Sequence, residues 1–171
     1  GVLDTSPRAT GGGAPHYDDQ RLDVPVTAAE EGRGMDPKYE WCADRGALVA
    51  LDAQTGQQIW KTYTITEQPV PTRKNSDGTQ MWGPSGASIW SAPTIDTKRG
   101  RLYVSTGNTY SGASPNSDAV VALDLATGKI LWAKQVLATD TFNRGCFLRG
   151  GCPGPDAAFG ASPILVAGAG A

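Results

Sequence analysis

The chain has 171 residues, a formal net charge of −2 with both signs scattered, and 22 glycines with 12 prolines. That length holds one ordinary domain with a buried core, and so much Gly and Pro favours turns over helices. There is no basic stripe for nucleic acid, no basic amphipathic stretch for a membrane surface and no apolar run long enough for a spanning helix, so none of these partners is expected.

The first residues, GVLDTSPRATGGG, are neither basic nor apolar enough for a signal peptide. An innermost strand is expected around Pro15, and a second through HYDDQRLDVPV (16–26), where Asp19 and Asp23 interrupt the apolar character a strand wants. VTAAEEG (26–32) follows as a loop whose Glu30-Glu31 pair, taken alone, reads as solvated. The only histidine is His16, which excludes a serine-histidine triad and leaves no His for a zinc site near Cys42, Cys146 or Cys152.

ALVALDAQTGQQIW (47–60) is then repeated as AVVALDLATGKILW (119–132). Asp52 pairs with Asp124, Thr55 with Thr127, Gly56 with Gly128 and Trp60 with Trp132, each offset by 72 residues. A repeated strand-turn-strand unit indicates a propeller or solenoid, because one unit cannot bury its own apolar face. Asp and Thr can cap the turn amides, Gly supplies a positive φ, and the repeated indole is expected to dock one blade on its neighbour.

A second echo, SAPTI (91–95) against ASPIL (161–165), places Pro93 and Pro163 on innermost blade strands. Between them one complete blade is expected over 88–136, with strands at 91–96, 101–106, 118–124 and 129–135. Its loop 107–117, GNTYSGASPNS, is long and turn-rich, as functional loops often are. CFLRGGC (146–152) is short enough for a Cys146–Cys152 disulfide in an exported protein; two free thiols are the other reading. The chain is expected to hold part of a blade over 1–67, the complete blade, and the start of a third over 160–171. A propeller needs four to eight blades to close, so the expectation is an incomplete, all-β propeller.

The motif A-x-D-x-x-T-G-x-x-x-W resembles the tryptophan-docking motif of quinoprotein dehydrogenases that carry pyrroloquinoline quinone (PQQ). GPSGASIWSAPTIDTKRGRLYVSTGN (83–108), SDAVVALDLATGKILWAKQ (117–135) and GPD…FGASPIL (154–165) are similar to the polyvinyl-alcohol dehydrogenase branch. The resemblance implies a partial eight-bladed β-propeller with PQQ and Ca2+ on its axis. It implies oxidation of an alcohol to a carbonyl outside the cytoplasm, in the periplasm or extracellular space, with electrons passed to cytochrome c. No Cys-x-x-Cys-His is present, so haem c would lie outside these residues.

Residue by residue, Trp90 matches the tryptophan floor beneath the PQQ ring; a core aromatic is the bland alternative. Asn108 of STGN matches a calcium ligand, against a simple turn Asn. Glu30 matches the acidic calcium ligand, with Thr27 and Ala29 touching the quinone. The relatives carry a catalytic Asp where this chain has Asn143, and an amide cannot serve as a carboxylate base. Asp140, three residues earlier, is either the substitute base or a turn cap. Other departures are Gly12 in place of a Thr and Trp41-Cys42 in place of a Cys-Cys pair. The alternatives to a dehydrogenase are a non-catalytic scaffold propeller of the same repeat, for example in outer-membrane assembly, or an inactive truncated copy. Trp90, Asn108 and Glu30 discriminate, because a scaffold has no use for them.

Overall fold

The computed structural model describes residues 16–17, 20–149 and 156–166. Its strands in chain order are β1 (His16–Tyr17), β2 (Arg21–Val26), β3 (Ala47–Asp52), β4 (Gln58–Tyr63), β5 (Val70–Lys74) and β6 (Gln80–Gly83). They continue with β7 (Ser85–Gly86), β8 (Thr94–Asp96), β9 (Arg101–Ser105), β10 (Thr109–Ser111), β11 (Ala119–Asp124) and β12 (Ile130–Gln135). Two short 3₁₀ turns, Glu30–Arg33 and Arg144–Arg149, are the helical segments among the described residues. Two antiparallel four-stranded sheets, β1-β2-β3-β4 and β12-β11-β9-β8, carry the repeat, and the pairs β5-β6 and β10-β7 stand beside them.

The repeat is reproduced down to single hydrogen bonds. Asp52 Oδ1 accepts the amide and hydroxyl of Thr55, and Asp124 Oδ1 accepts those of Thr127. Gly56 and Gly128 close the two turns at φ 70° and 71°. Ala50 pairs with Trp60 and Ala122 with Trp132, and each ladder shifts register at the following residue. Such a match follows from local chemistry, since a capped Asx-type turn and a Gly in the left-handed region need no help from afar.

Trp60 reaches across to the second sheet. A Cβ added to Gly128 would lie 2.5 Å from the Trp60 ring, so the indole is seated on a turn that only glycine leaves open. Thr62 donates its hydroxyl to the Gly128 carbonyl at 2.7 Å, and Arg21 donates to the Leu125 carbonyl at 2.6 Å. Leu48, Ala50, Trp60 and Ile89 pack with Leu102, Val104, Ala119, Val121 and Leu123 into one core shared by both sheets. The core strands read as near-continuous apolar runs because both faces are covered. Trp132, the second docking indole, is 42% exposed, against 9% for Trp60.

Several elements depart from expectation. Asp23 does not interrupt β2: it is fully buried and ion-paired to Arg21 at 2.8 Å, so the strand carries its charge as a local pair. The innermost strand of the second sheet begins at Thr94 rather than 91. The loop 107–117 contains β10, which pairs with β7. The hairpin β5–β6, unassigned from sequence, turns through Asp77-Gly78 with Gly78 at φ 81°. Gly12, Pro15, Asp19 and Cys152 lie outside the described residues.

Candidate functional site

Trp90 follows Ile89, which is locked in the core, so the backbone at the indole is fixed while the ring itself is 41% exposed. One side of the ring lies on Gly107: a Cβ there would meet Trp90 Nε1 at 3.2 Å and Cζ2 at 3.3 Å. A flat aromatic surface supported from behind and open elsewhere suits a planar ligand. The next residue, Asn108, is buried and uses both amide protons internally. Its Nδ2 donates to the carbonyls of Phe142 (2.6 Å) and Thr109 (3.1 Å). That fixes the amide's orientation and leaves Oδ1 with no hydrogen-bond donor among the described residues.

The loop 27–31 is brought to the same place by Ser88. Ala28, between the half-buried Thr27 and Ala29, donates its N–H to Ser88 Oγ at 3.0 Å. Ser88 Oγ also lies 3.3 Å from the Tyr110 hydroxyl, which donates to Glu31 Oε2 at 3.5 Å. Burial pushes the Tyr110 phenol up. Burial first, then the charge of Asp156, also raises the Glu31 carboxyl. Glu30 is turned into its own loop. Its Oε2 accepts the amides of Ala43 and Asp44, both at 2.7 Å, and its Oε1 accepts the Tyr39 hydroxyl at 3.1 Å.

The 140–143 segment is laced to β10. Thr109 donates its hydroxyl to the Asp140 carbonyl (3.1 Å), and Asn143 Nδ2 donates to the Tyr110 carbonyl (3.2 Å). Asp140 is buried, and both its carboxylate oxygens accept amides: Phe142 at 2.9 Å and Ala157 at 2.8 Å. The turn-cap geometry anticipated for Asp140 is therefore present. Asn143 opens on a cavity of about 530 Å³ whose walls include Trp41, Met81, Trp82, Tyr110 and Cys146. Cys146 is in a disulfide, while Cys42 is free and buried. Among the described residues no group of three or more His, Cys, Asp or Glu side chains is arranged to hold a metal.

Trp90, Asn108, Thr27, Ala29, Asp140 and Asn143 thus gather around β10, while Glu30 faces inward. Ser88 and Tyr110, which join these segments, carried no sequence signal of their own. Asp118, buried with neither carboxyl oxygen hydrogen-bonded among the described residues, was also not singled out from the sequence. The repeat could have found it, because its counterpart 72 residues earlier is Gly46.

The β-propeller domain model of the PQQ glucose/ethanol/alcohol dehydrogenases matches residues 31–145. The chain belongs to this family. It is 47% identical over 168 residues to a polyvinylalcohol dehydrogenase of Pseudomonas sp, covering 96% of the chain and 26% of that protein. To the polyvinylalcohol dehydrogenase of Sphingopyxis sp. (strain 113P3) it is 43% identical over 171 residues, covering 95% of the chain and 26% of that protein. The chain therefore spans about a quarter of the length of these PQQ-family relatives. The crystal structure of quinohemoprotein alcohol dehydrogenase from Comamonas testosteroni superposes with a TM-score of 0.53 at 22% identity, over 79% of this chain and 22% of that one. That likeness establishes the fold: an all-β, partial propeller of the quinoprotein dehydrogenase type with tryptophan-docking motifs.

Proposed function

We propose that the whole protein of which these residues form about a quarter is a PQQ-dependent alcohol dehydrogenase, oxidising a secondary or polymeric alcohol to a carbonyl. The observation that carries the reading is the Trp90 ring, lying on Gly107 and partly open to solvent, with Asn108 next in the chain keeping an amide oxygen that no donor among the described residues engages. Bound PQQ would supply the hydride acceptor, with Ca2+ polarising the quinone as a Lewis acid. In this reading Trp90 forms the floor for the quinone, Thr27 and Ala29 border it, and Asn108 Oδ1 is a calcium ligand. Glu30 would join the ligand set through Oε1, which accepts only the Tyr39 hydroxyl, since Oε2 already holds two amides.

Asn143 orients the alcohol at the mouth of the cavity, where its amide can hydrogen-bond a hydroxyl but not take its proton. Asp140 keeps the 140–143 segment in place through its two amide bonds. The aromatic and apolar wall of the cavity suits the methylene backbone of the substrate. Residues 1–67 form part of one blade, 88–136 a complete blade and 160–171 the start of the next. The Cys146 disulfide supports a periplasmic or extracellular location. Electrons leave to a cytochrome c, either a partner protein or a haem domain elsewhere in the polypeptide.

The test is PQQ titration of the full-length protein with and without Ca2+, followed by dye reduction with a secondary alcohol. Calcium-dependent binding and turnover are expected. A folded full-length propeller that binds no PQQ would overturn the reading in favour of a scaffold.

A further inference from the structure

The β5–β6 hairpin carries an extra residue in its first strand. Pro71 pairs with Trp82 and Lys74 with Gln80, so Thr72 and Arg73 together stand opposite Met81 alone. Neighbours on a regular strand point to opposite faces. At this bulge both Thr72 and Arg73 line the cavity of about 530 Å³ on which Asn143 opens, and re-aiming a side chain is what a bulge does. Thr72 fixes the bulge by donating its hydroxyl to the Met81 carbonyl at 3.1 Å.

The hairpin is held at its base and at its tip. At the base, Trp82 N–H donates to the Trp41 carbonyl, and Trp82 Nε1 donates to Glu40 Oε2 at 3.2 Å. At the tip, Asn75 Nδ2 and the Thr79 hydroxyl both donate to the Pro37 carbonyl, at 2.7 and 2.8 Å. Beside it lies a second cavity of about 340 Å³, which shares Trp41, Arg73 and Met81 with the first. Trp41 is a rigid wall of both: a Cβ at Gly34 would lie 3.0 Å from its ring and one at Gly145 2.6 Å. Arg73, exposed at the junction, has neither a hydrogen bond nor an ion pair to its guanidinium among the described residues.

The charges around the second cavity select its ligand. Asp36 and Asp77 line it together with Arg73. An anion there would face two carboxylates, and a cation would face the guanidinium. A neutral hydroxyl accepts from Arg73 and donates to a carboxylate, so it satisfies both. Trp41 and Met81, common to the two cavities, suit the methylene groups between one hydroxyl and the next.

We infer that the bulged hairpin is the specificity arm of the site. With one hydroxyl-bearing carbon at Asn143, Arg73 donates to a further hydroxyl of the same molecule and leads it into the second cavity. The ligand class is an uncharged carbon chain bearing several hydroxyls. The inference rests on the dehydrogenase reading for the reaction, but the arm holds the part of the substrate that does not react.

The test uses the full-length protein in two arms. In the first, with PQQ and Ca2+ bound, KM is measured for isopropanol, for a linear oligomeric polyol with secondary hydroxyls, and for a hydroxycarboxylate of similar length. Wild type should show its lowest KM with the polyol. Arg73→Ala should raise the polyol KM about tenfold more than the isopropanol KM, the loss expected for one hydrogen bond to a charged group. The change should fall on KM far more than on kcat, and Arg73→Lys should recover part of it. All of β5 is exposed, so these variants should fold as wild type does. Equal KM changes for isopropanol and polyol, or none, would overturn the arm. A wild-type preference for the hydroxycarboxylate would overturn the ligand class.

The second arm measures polyol binding to the cofactor-free protein by calorimetry. Binding by wild type that Arg73→Ala weakens is expected, and no binding, or equal binding by both, would overturn the inference. Wild type that oxidises no alcohol yet binds polyol through Arg73 would sink the dehydrogenase reading and leave the arm. Oxidation of isopropanol and polyol at equal KM would leave that reading and sink the arm.

Discussion

At the scale of single residues, burial and hydrogen bonding decide which polar groups remain for a ligand. Trp90 is partly exposed and one side of its ring lies on Gly107, so Trp90→Ala should cost little stability. The same change should weaken PQQ binding about 10-fold, the equivalent of roughly 1–1.5 kcal/mol of ring stacking. Fluorescence titration of the full-length protein measures this, and unchanged affinity would contradict the floor role. Glu30→Gln should destabilise even calcium-free protein by about 1.5–3 kcal/mol. The carboxylate it replaces holds the Ala43 and Asp44 amides and the Tyr39 hydroxyl. Equal unfolding midpoints in calcium-free buffer would contradict the clamp. Trp90 stood out in the sequence because it lies outside the repeated docking position. Glu30's inward turn was invisible there, since its partners lie 9 to 14 residues away.

Among the elements, the two Asp-Thr-Gly turns are locally alike but differ in what lies beyond them. Gly56 and Gly128 share a positive φ, yet a Cβ at Gly56 meets nothing within 4 Å while one at Gly128 strikes Trp60. Gly56→Ala should therefore cost about 1–2 kcal/mol from backbone strain alone. Gly128→Ala should cost a further 1–3 kcal/mol or so, because it overfills the docking contact. Chemical denaturation of the two variants side by side isolates that contact; equal losses would mean that Trp60 does not bear on the turn. The strands β3 and β11 were readable from their apolar runs and turn residues, which act over a few positions. The β5–β6 hairpin was not: all of Val70–Lys74 is exposed, so no apolar alternation marks it.

For the molecule as a whole, the shared core joins two sheets, and among the described residues no third sheet lies on the second docking indole. Trp132 is 42% exposed and Leu131 43%, although the same motif position buries Trp60. In a polypeptide as long as the family relatives, a further blade is expected to cover Trp132. The emission lost on Trp132→Phe should then be blue-shifted and resistant to acrylamide, as is expected of an indole as buried as Trp60. A Trp132 equally quenched in the longer protein would contradict blade-on-blade docking. The sequence by itself determined the repeat, the capped turns, the docking indoles and the family, because each depends on residues within one short unit. Only the tertiary structure decided which side chains share the site and which acids are already engaged. It seated Ala28 on Ser88, tied Asn108 and Asn143 to opposite ends of one loop crossing, and left the Asp118 carboxyl buried without a partner among the described residues. Those outcomes depend on contacts between residues tens of positions apart, and burial of a polar group is fixed by whatever packs over it rather than by its neighbours in the chain.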